Sequence, residues 1–216
     1  MFVIHPRRYI REFKNWRETY NLKRQAKKYG VQLQIGSGVR LVGCTIRENL
    51  ENRITNYTNT TLIIGDYCFL KYASFSFCGD NSTIHLGEDI HINGGEKGRT
   101  SFLAGANSSI VVGNDCLFSS NIRFWTTDFH PVLDMDGNVV NRNKDVHIGE
   151  HVWVGMNVFI SKGVTIAKNS IVGAFSVVTK SFNEENVVIA GNPAMVRKNG
   201  ITWEGHVEGW DQLIQS

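Results

Sequence analysis

The sequence predicts a mainly β chain wound into a parallel β-helix, with an α-helix ahead of it and a short extension behind it. Three observations predict this: a six-residue repeat, a looser series of glycine-terminated segments upstream of it, and a helical spacing of aromatics near the start. From residue 148 the chain divides into "IGEHVW", "VGMNVF", "ISKGVT", "IAKNSI", "VGAFSV" and "VTKSF". Each block opens with an aliphatic residue (Ile148, Val154, Ile160, Ile166, Val172, Val178), and its fifth place is small or β-branched (Val152, Val158, Val164, Ser170, Ser176). Short strands so spaced, with no hairpin dipeptides between them, cannot form a meander. Three blocks bring the chain back over its own start, so each face becomes a parallel sheet and the aliphatic first positions stack into the interior.

Upstream, "VRLVG" (39–43), "NTTLIIG" (59–65), "NSTIHLG" (81–87), "NSSIVVG" (107–113) and "KDVHIG" (144–149) share an aliphatic pair two apart followed by Gly. The glycines at 43, 65, 87, 113 and 149 are read as successive coils, and the longest interval holds "TTDFHPVLDMDG" (126–137). That stretch is an inserted loop, near 127–145, after which the register resumes. In residues 5–29, Tyr9, Phe13, Trp16 and Tyr20 recur every three or four places with Gly30 as a stop, predicting an amphipathic helix over the open end of the β-helix. The organisation expected is a helical segment at 1–30, the β-helix at 31–198 and a C-terminal cap at 199–216, where "GITWEGHVEGWDQLI" brings two tryptophans.

With 216 residues, 21 Gly and only 3 Pro, the composition fits one sizeable globular domain and neither a disordered nor a collagen-like chain. No signal peptide and no run of eighteen apolar residues is present, so a soluble, cytoplasmic protein is expected. The four cysteines lack CxxC spacing, which argues against a zinc or redox pair. Cys68 and Cys116 follow Ile64 and Val112 by four places and fall on inward positions. The net charge of +3 conceals an asymmetry: residues 1–29 carry nine basic residues against Glu12 and Glu18. That basic helix is either a solvated face or a peripheral contact with a membrane or an anionic glycan. No nucleic-acid partner is expected.

The six-residue blocks, the excursion with "DFHP", the tryptophan of "HVWVG", and "VVTKSF" followed by "AGNPA" resemble the hexapeptide-repeat acyltransferases of left-handed β-helix fold. The likeness is greatest to bacterial O-acetyltransferases of sugars and surface polysaccharides and to the galactoside and maltose acetyltransferases, over roughly residues 35–200. It implies acetyl-CoA as cosubstrate, no metal, a sugar or glycan acceptor, and a homotrimer with sites between subunits. His130 resembles the family's catalytic histidine. An alcohol is a poor nucleophile until its proton is removed, and an imidazole, ordinarily titrating at about pH 6.5, suits that task. Asp128 either orients that ring or serves a turn. Trp153 closes its block and points outward, where its indole meets the reacting groups or a neighbouring subunit.

The same resemblance implies coenzyme contacts at Gly155, Ala174, Thr179, Lys180 and Pro193. Pro193 is a candidate for a cis bond. Met195 stands where family members often carry a basic residue, so Arg197 and Lys198 are assigned the coenzyme phosphate. Asp134 and Asn141 are candidates for hydrogen bonds to sugar hydroxyls, although Asp136 and Gly137 read equally well as turn chemistry. With Cys68 and Cys116 in the core, direct transfer is expected rather than an acetyl-enzyme. Competing expectations are a xenobiotic acetyltransferase, a sugar-nucleotide N-acetyltransferase, a zinc hydrase on the same fold using His147 and His151, and a non-enzymatic β-helix.

Overall fold

A computed structural model describes the backbone over residues 6–47 and 57–205, with side chains in the first helix from Lys14 onward. Three sheets form the faces of a prism. The first face stacks β1 (Gln32–Ile35), β4 (Thr61–Ile64), β7 (Thr83–Leu86), β10 (Ser109–Val112), β13 (Val146–Ile148) and β16 (Thr165–Ile166). The second stacks β2 (Arg40–Val42), β5 (Phe69–Lys71), β8 (His91–Asn93), β11 (Leu117–Phe118), β14 (Trp153–Val154), β17 (Ile171–Val172), β19 (Val187–Gly191) and β20 (Ala194–Asn199). The third stacks β3 (Thr45–Arg47), β6 (Ala73–Cys78), β9 (Thr100–Gly105), β12 (Arg123–Trp125), β15 (Phe159–Ile160) and β18 (Val177–Val178). Strands on a face are a full coil apart in sequence and pair in parallel, except β19 with β20, which pair antiparallel. The fold is the left-handed parallel β-helix.

The repeat is the steric cause of this prism. The aliphatic first positions and the residues at position five are buried throughout 148–178. Ser170 and Ser176, buried without apolar bulk, satisfy their hydroxyls locally by donating to the carbonyls of Lys168 and Gly173. In the wider coils upstream the interior holds Phe75, Phe102 and Phe124 as a stack, with centroids 5.5 and 4.7 Å apart. Cys68 and Cys116 are buried, as their register predicts.

The corners require left-handed backbone. At the fourth place of successive blocks stand His151, Asn157, Gly163, Asn169 and Phe175, all with φ between 54° and 75°. Asn and Gly tolerate this conformation and histidine is enriched in it, whereas a phenylalanine there is strained.

Two readings of the N-terminal end need correction. The first coil is marked by Gly36 rather than Gly43, because Ile35 pairs with Ile64 and Arg40–Val42 pairs instead with Phe69–Lys71 on the second face. The helix α1 (Pro6–Lys28) does cap the open end, but through Leu22 and Ala26, which are buried, while Trp16 and Tyr20 stack on one another and are mostly exposed. Polar side chains complete the seal. Asn15 donates to the Val39 carbonyl and accepts from the Leu41 amide, and Gln25 accepts from the Ile46 amide. These bonds satisfy backbone groups on an edge that has no further coil to pair with. The side chains of Tyr9 and Phe13, and residues 206–216 with Trp210, lie outside the described residues. Among the described residues no helix is long and apolar enough to cross a membrane.

Candidate active site

The excursion leaves the prism after β12 and returns at Lys144, whose amide donates to the Thr126 carbonyl. Its base is a buried polar knot: Thr126 Oγ1 accepts from the Gly105 amide at 2.7 Å and pairs with Ser108 Oγ at 2.7 Å. Beyond it the chain forms a β-hairpin rather than an irregular loop. Val140 donates to the Val132 carbonyl, Leu133 bridges Val139, and Asp134 closes the tip by accepting from the amides of Asp136 and Asn138. Asp134 is fully exposed, and hydrogen bonds led by that from the Asn138 amide hold its carboxyl below the usual carboxylate range.

His130 sits at the start of this hairpin, exposed, and lines a recess of about 450 Å³ between the hairpin and the corner ends of β6 and β9 at Cys78, Ala106 and Asn107. Its backbone is held on both sides, the amide donating to Asp128 O and the carbonyl accepting from Asn141 Nδ2. Phe129 supports the same turn from below, packing edge-on against Trp125 at 5.4 Å.

The Asp128 carboxylate is directed elsewhere. It meets Lys162 Nζ at 2.5 Å and Asn141 Nδ2 at 2.9 Å, and Lys162 also donates to the Asn141 carbonyl at 2.6 Å. Burial opposes the charge on Asp128, but the bonds from Lys162 and Asn141 outweigh it and lower its pKa. Asn141 is fully engaged within the hairpin, since its Oδ1 accepts from the Val132 amide. Asp128, Asn141 and Lys162 are therefore a clamp that fixes where the hairpin leaves the prism. Lys162 carries no motif in the sequence; only the stacking of coils brings it beneath Asp128.

Trp153 lies on β14, on the second face, and is not among the residues lining the His130 recess. It is 39% exposed, as its outward position predicts, and its indole is tilted against Trp203 at 6.2 Å. Beside it, Gly155 and Ala174 occupy successive coils so closely that a Cβ on Gly155 would come within 2.7 Å of the Ala174 amide nitrogen. The next residue, Phe175, is 69% exposed in the left-handed conformation. Thr179 and Lys180 follow β18, while Arg197 and Lys198 lie on β20; all four are exposed at the C-terminal end of the prism. The Asn192–Pro193 bond is cis.

Burial pushes the thiols of Cys44 and Cys68 up to about 11 and that of Cys116 to about 12. Cys78, which belongs to no sequence motif, is only partly buried and borders the recess. Among the described residues no three His, Cys, Asp or Glu side chains are grouped to hold a metal ion. His147 projects from β13, and His151 occupies a corner.

A three-faced prism of stacked coils with a histidine-bearing hairpin defines the class as a β-helix of the hexapeptide-repeat type. A family model described as "Bacterial transferase hexapeptide (six repeats)" matches residues 145–180. The galactoside O-acetyltransferase of Escherichia coli is 32% identical over 155 residues, covering 66% of this chain and 72% of that protein. The galactoside O-acetyltransferase of Lactococcus lactis is 35% identical over 139 residues, covering 62% of this chain and 61% of that protein. The chain thus spans about three fifths of the length of the Lactococcus relative. Among solved structures, the polysialic acid O-acetyltransferase OatWY superposes with a TM-score of 0.52 at 27% identity, over 83% of this chain and 93% of that one. The chain belongs to the hexapeptide-repeat acetyltransferase family.

Proposed function

We propose that this protein is an acetyl-CoA-dependent O-acetyltransferase acting on a hydroxyl of a bacterial surface glycan or its sugar precursor. The observation that carries the reading is the clamped hairpin. A regular prism of the acetyltransferase family spends one insertion on presenting His130 at a recess and fixes it through Asp128, Asn141 and Lys162. The relatives named for galactoside and polysialic acid O-acetylation support a sugar hydroxyl as acceptor.

In this mechanism the acceptor hydroxyl attacks the thioester carbonyl as His130 takes its proton. The new C–O bond forms, the C–S bond breaks, and the proton passes from the imidazolium to the departing thiolate. Trp153 and backbone amides of the groove stabilise the oxyanion. The ledge of Gly155 and Ala174 takes the pantetheine arm, with Thr179, Lys180 and Pro193 further along it. Arg197 and Lys198 supply charge to the coenzyme phosphate, an interaction that suits point cations. Asp134 and Asn141 shape the hairpin that faces the sugar.

The same geometry supports a homotrimer with sites between subunits. His130 and Trp153 face different sides of one prism, and the hairpin exposes Val132, Leu133, Met135 and Val140, an apolar patch suited to a neighbour. The test is thiol release from acetyl-CoA with a panel of glycans, nucleotide sugars and drugs, using wild type and His130→Ala. The variant is expected to keep its fold and its coenzyme affinity and to lose about 10²–10⁴-fold in turnover. A fully active His130→Ala overturns the assignment.

A further inference from the structure

The corner between the first and second faces is a column of left-handed residues, among them Asp89, Asp115, His151, Asn169 and Asn186, each amide donating to the coil before it. The C-terminal segment runs back along this column. Asn186 pins Ile201 through both its backbone carbonyl and its side-chain amide, and two coils away His151 pins Trp203. The second attachment is the more elaborate. His151 Nδ1 lies 2.7 Å from Asp115 Oδ2, and Nε2 lies 2.9 Å from the Trp203 carbonyl. The Trp203 indole donates in return to the His151 carbonyl at 2.9 Å and stacks on the imidazole at 4.2 Å, 12° from parallel. Trp203 is thereby buried, and on a further side its ring meets the tilted indole of Trp153.

We propose that Asp115, His151 and Trp203 form a proton-dependent clamp that seats the C-terminal segment against Trp153 and so positions that indole for the reaction. The chemistry follows from the two acceptors. A carboxylate and a carbonyl each require an N–H, and only imidazolium offers one at both ring nitrogens. Burial under Trp203 opposes the charge, yet Asp115, the Trp203 carbonyl and Glu204 together raise the His151 pKa above the ordinary histidine value. Among the described residues the other charged groups facing this corner are Glu150 and Lys168, and the Lys168 ammonium pairs with Glu185 at 3.5 Å. Because the folded-state pKa is the raised one, the clamp is complete at low pH and is lost as pH rises through that value. His151 and Trp203 are positioning residues that act through Trp153, and the proposal rests on Trp153 serving the reaction as proposed above.

The test follows the indole N–H signals of Trp153 and Trp203 in the labelled full chain, assigned with W153F and W203F, from about pH 5 to 9. The two signals are expected to move together, with one midpoint above about 6.5. In His151→Asn, a residue that Asn169 and Asn186 show to fit this corner, neither is expected to titrate. Kinetically, His151→Asn at about pH 6 lowers kcat about fivefold with the KM for acetyl-CoA within about twofold, and the kcat values of the two proteins converge above the midpoint. A static Trp153 signal, or a kcat equal in both proteins across the range, overturns the positioning role. The spectra need no turnover, so a wild type without acetyl transfer that still shows linked indoles sinks the proposed function and leaves the clamp standing.

Discussion

Lys162, on the coil that follows the excursion, reaches back to hold Asp128 at the excursion's start, and with the same ammonium holds the carbonyl of Asn141 at its return. One cation thus ties both legs of the hairpin that carries His130. The carboxylate's partners favour the role of anchor over that of orienter of the imidazole, and the two roles predict different kinetics. As an anchor, Asp128→Asn and Lys162→Met each lower kcat/KM by about ten- to a hundredfold through misplacement of the base, and the double variant is no worse than either alone. As an orienter, Asp128→Asn would cost about 10⁴-fold by itself while Lys162→Met cost little. Steady-state rates of the four proteins in this cycle separate the two, with circular dichroism as a check that each is folded.

Cys78 closes β6 where it borders the His130 recess, and its thiol donates to the Ala104 carbonyl at 3.5 Å. The other three thiols are held protonated by burial, so a thiol-linked acetyl-enzyme would have to form here. Direct transfer predicts that Cys78→Ala keeps its turnover within about threefold, since no nucleophile has been lost. Intact-mass measurement after mixing wild type with acetyl-CoA alone is expected to show no acetyl adduct. An adduct that disappears in Cys78→Ala would replace direct transfer by a two-step route.

The interior of this protein is readable because inward positions are fixed by sterics, and six-residue spacing leaves few alternatives for Val154, Ile160 or Ser176. The excursion is readable for the same reason, as the place where that spacing is most enlarged. What points away from the interior is harder. Trp16 and Tyr20 have the spacing of a packed face, yet the helix is seated by Leu22, Ala26 and the amides of Asn15 and Gln25, whose polar character resembles a solvent face. The first coil escapes detection because Gln32 and Gln34, the outward residues of "QLQIG", dilute its apolar signal. Lys162 with Asp128, and His151 with Trp203, are joined only by coil stacking or by the returning tail, and neither leaves a trace in local sequence.

The hairpin tip carries its own acid sensitivity. Asp134 has its native pKa below the unfolded value because the Asn138 amide and side chain favour the charged form. Its contribution is therefore present above the unfolded pKa and lost as pH falls through the lower native one. Hydrogen-exchange protection of the Asp136 and Asn138 amides, corrected for intrinsic rates, is expected to stay level from about pH 7 to 4 and to fall below that. Asp134→Ala should show the unprotected pattern already at neutral pH. Equal protection in both proteins at neutral pH would mean that the tip is held by Val132, Val140 and their backbone bonds alone.

Phe175, like Tyr67 and Tyr72, is an aromatic corner residue in a conformation that the fold itself disfavours. In the two coils before it the same corner holds Asn157 and Asn121, whose side chains bond to one another at 2.7 Å. A phenylalanine at φ 59° gives up that ladder and adopts a conformation that costs a non-glycine residue about 1–2 kcal/mol. Its ring is left largely exposed next to Ala174. If the proposed coenzyme groove runs along Gly155 and Ala174, the strained ring offers the coenzyme an aromatic face. Phe175→Asn would relieve the backbone and extend the asparagine ladder, so stability in urea is expected to rise by about 1 kcal/mol. The KM for acetyl-CoA is expected to rise about tenfold in the same variant, consistent with loss of one aromatic contact. A more stable variant with unchanged KM would show that the ring does not meet the coenzyme, and a less stable one would show that the corner is not strained.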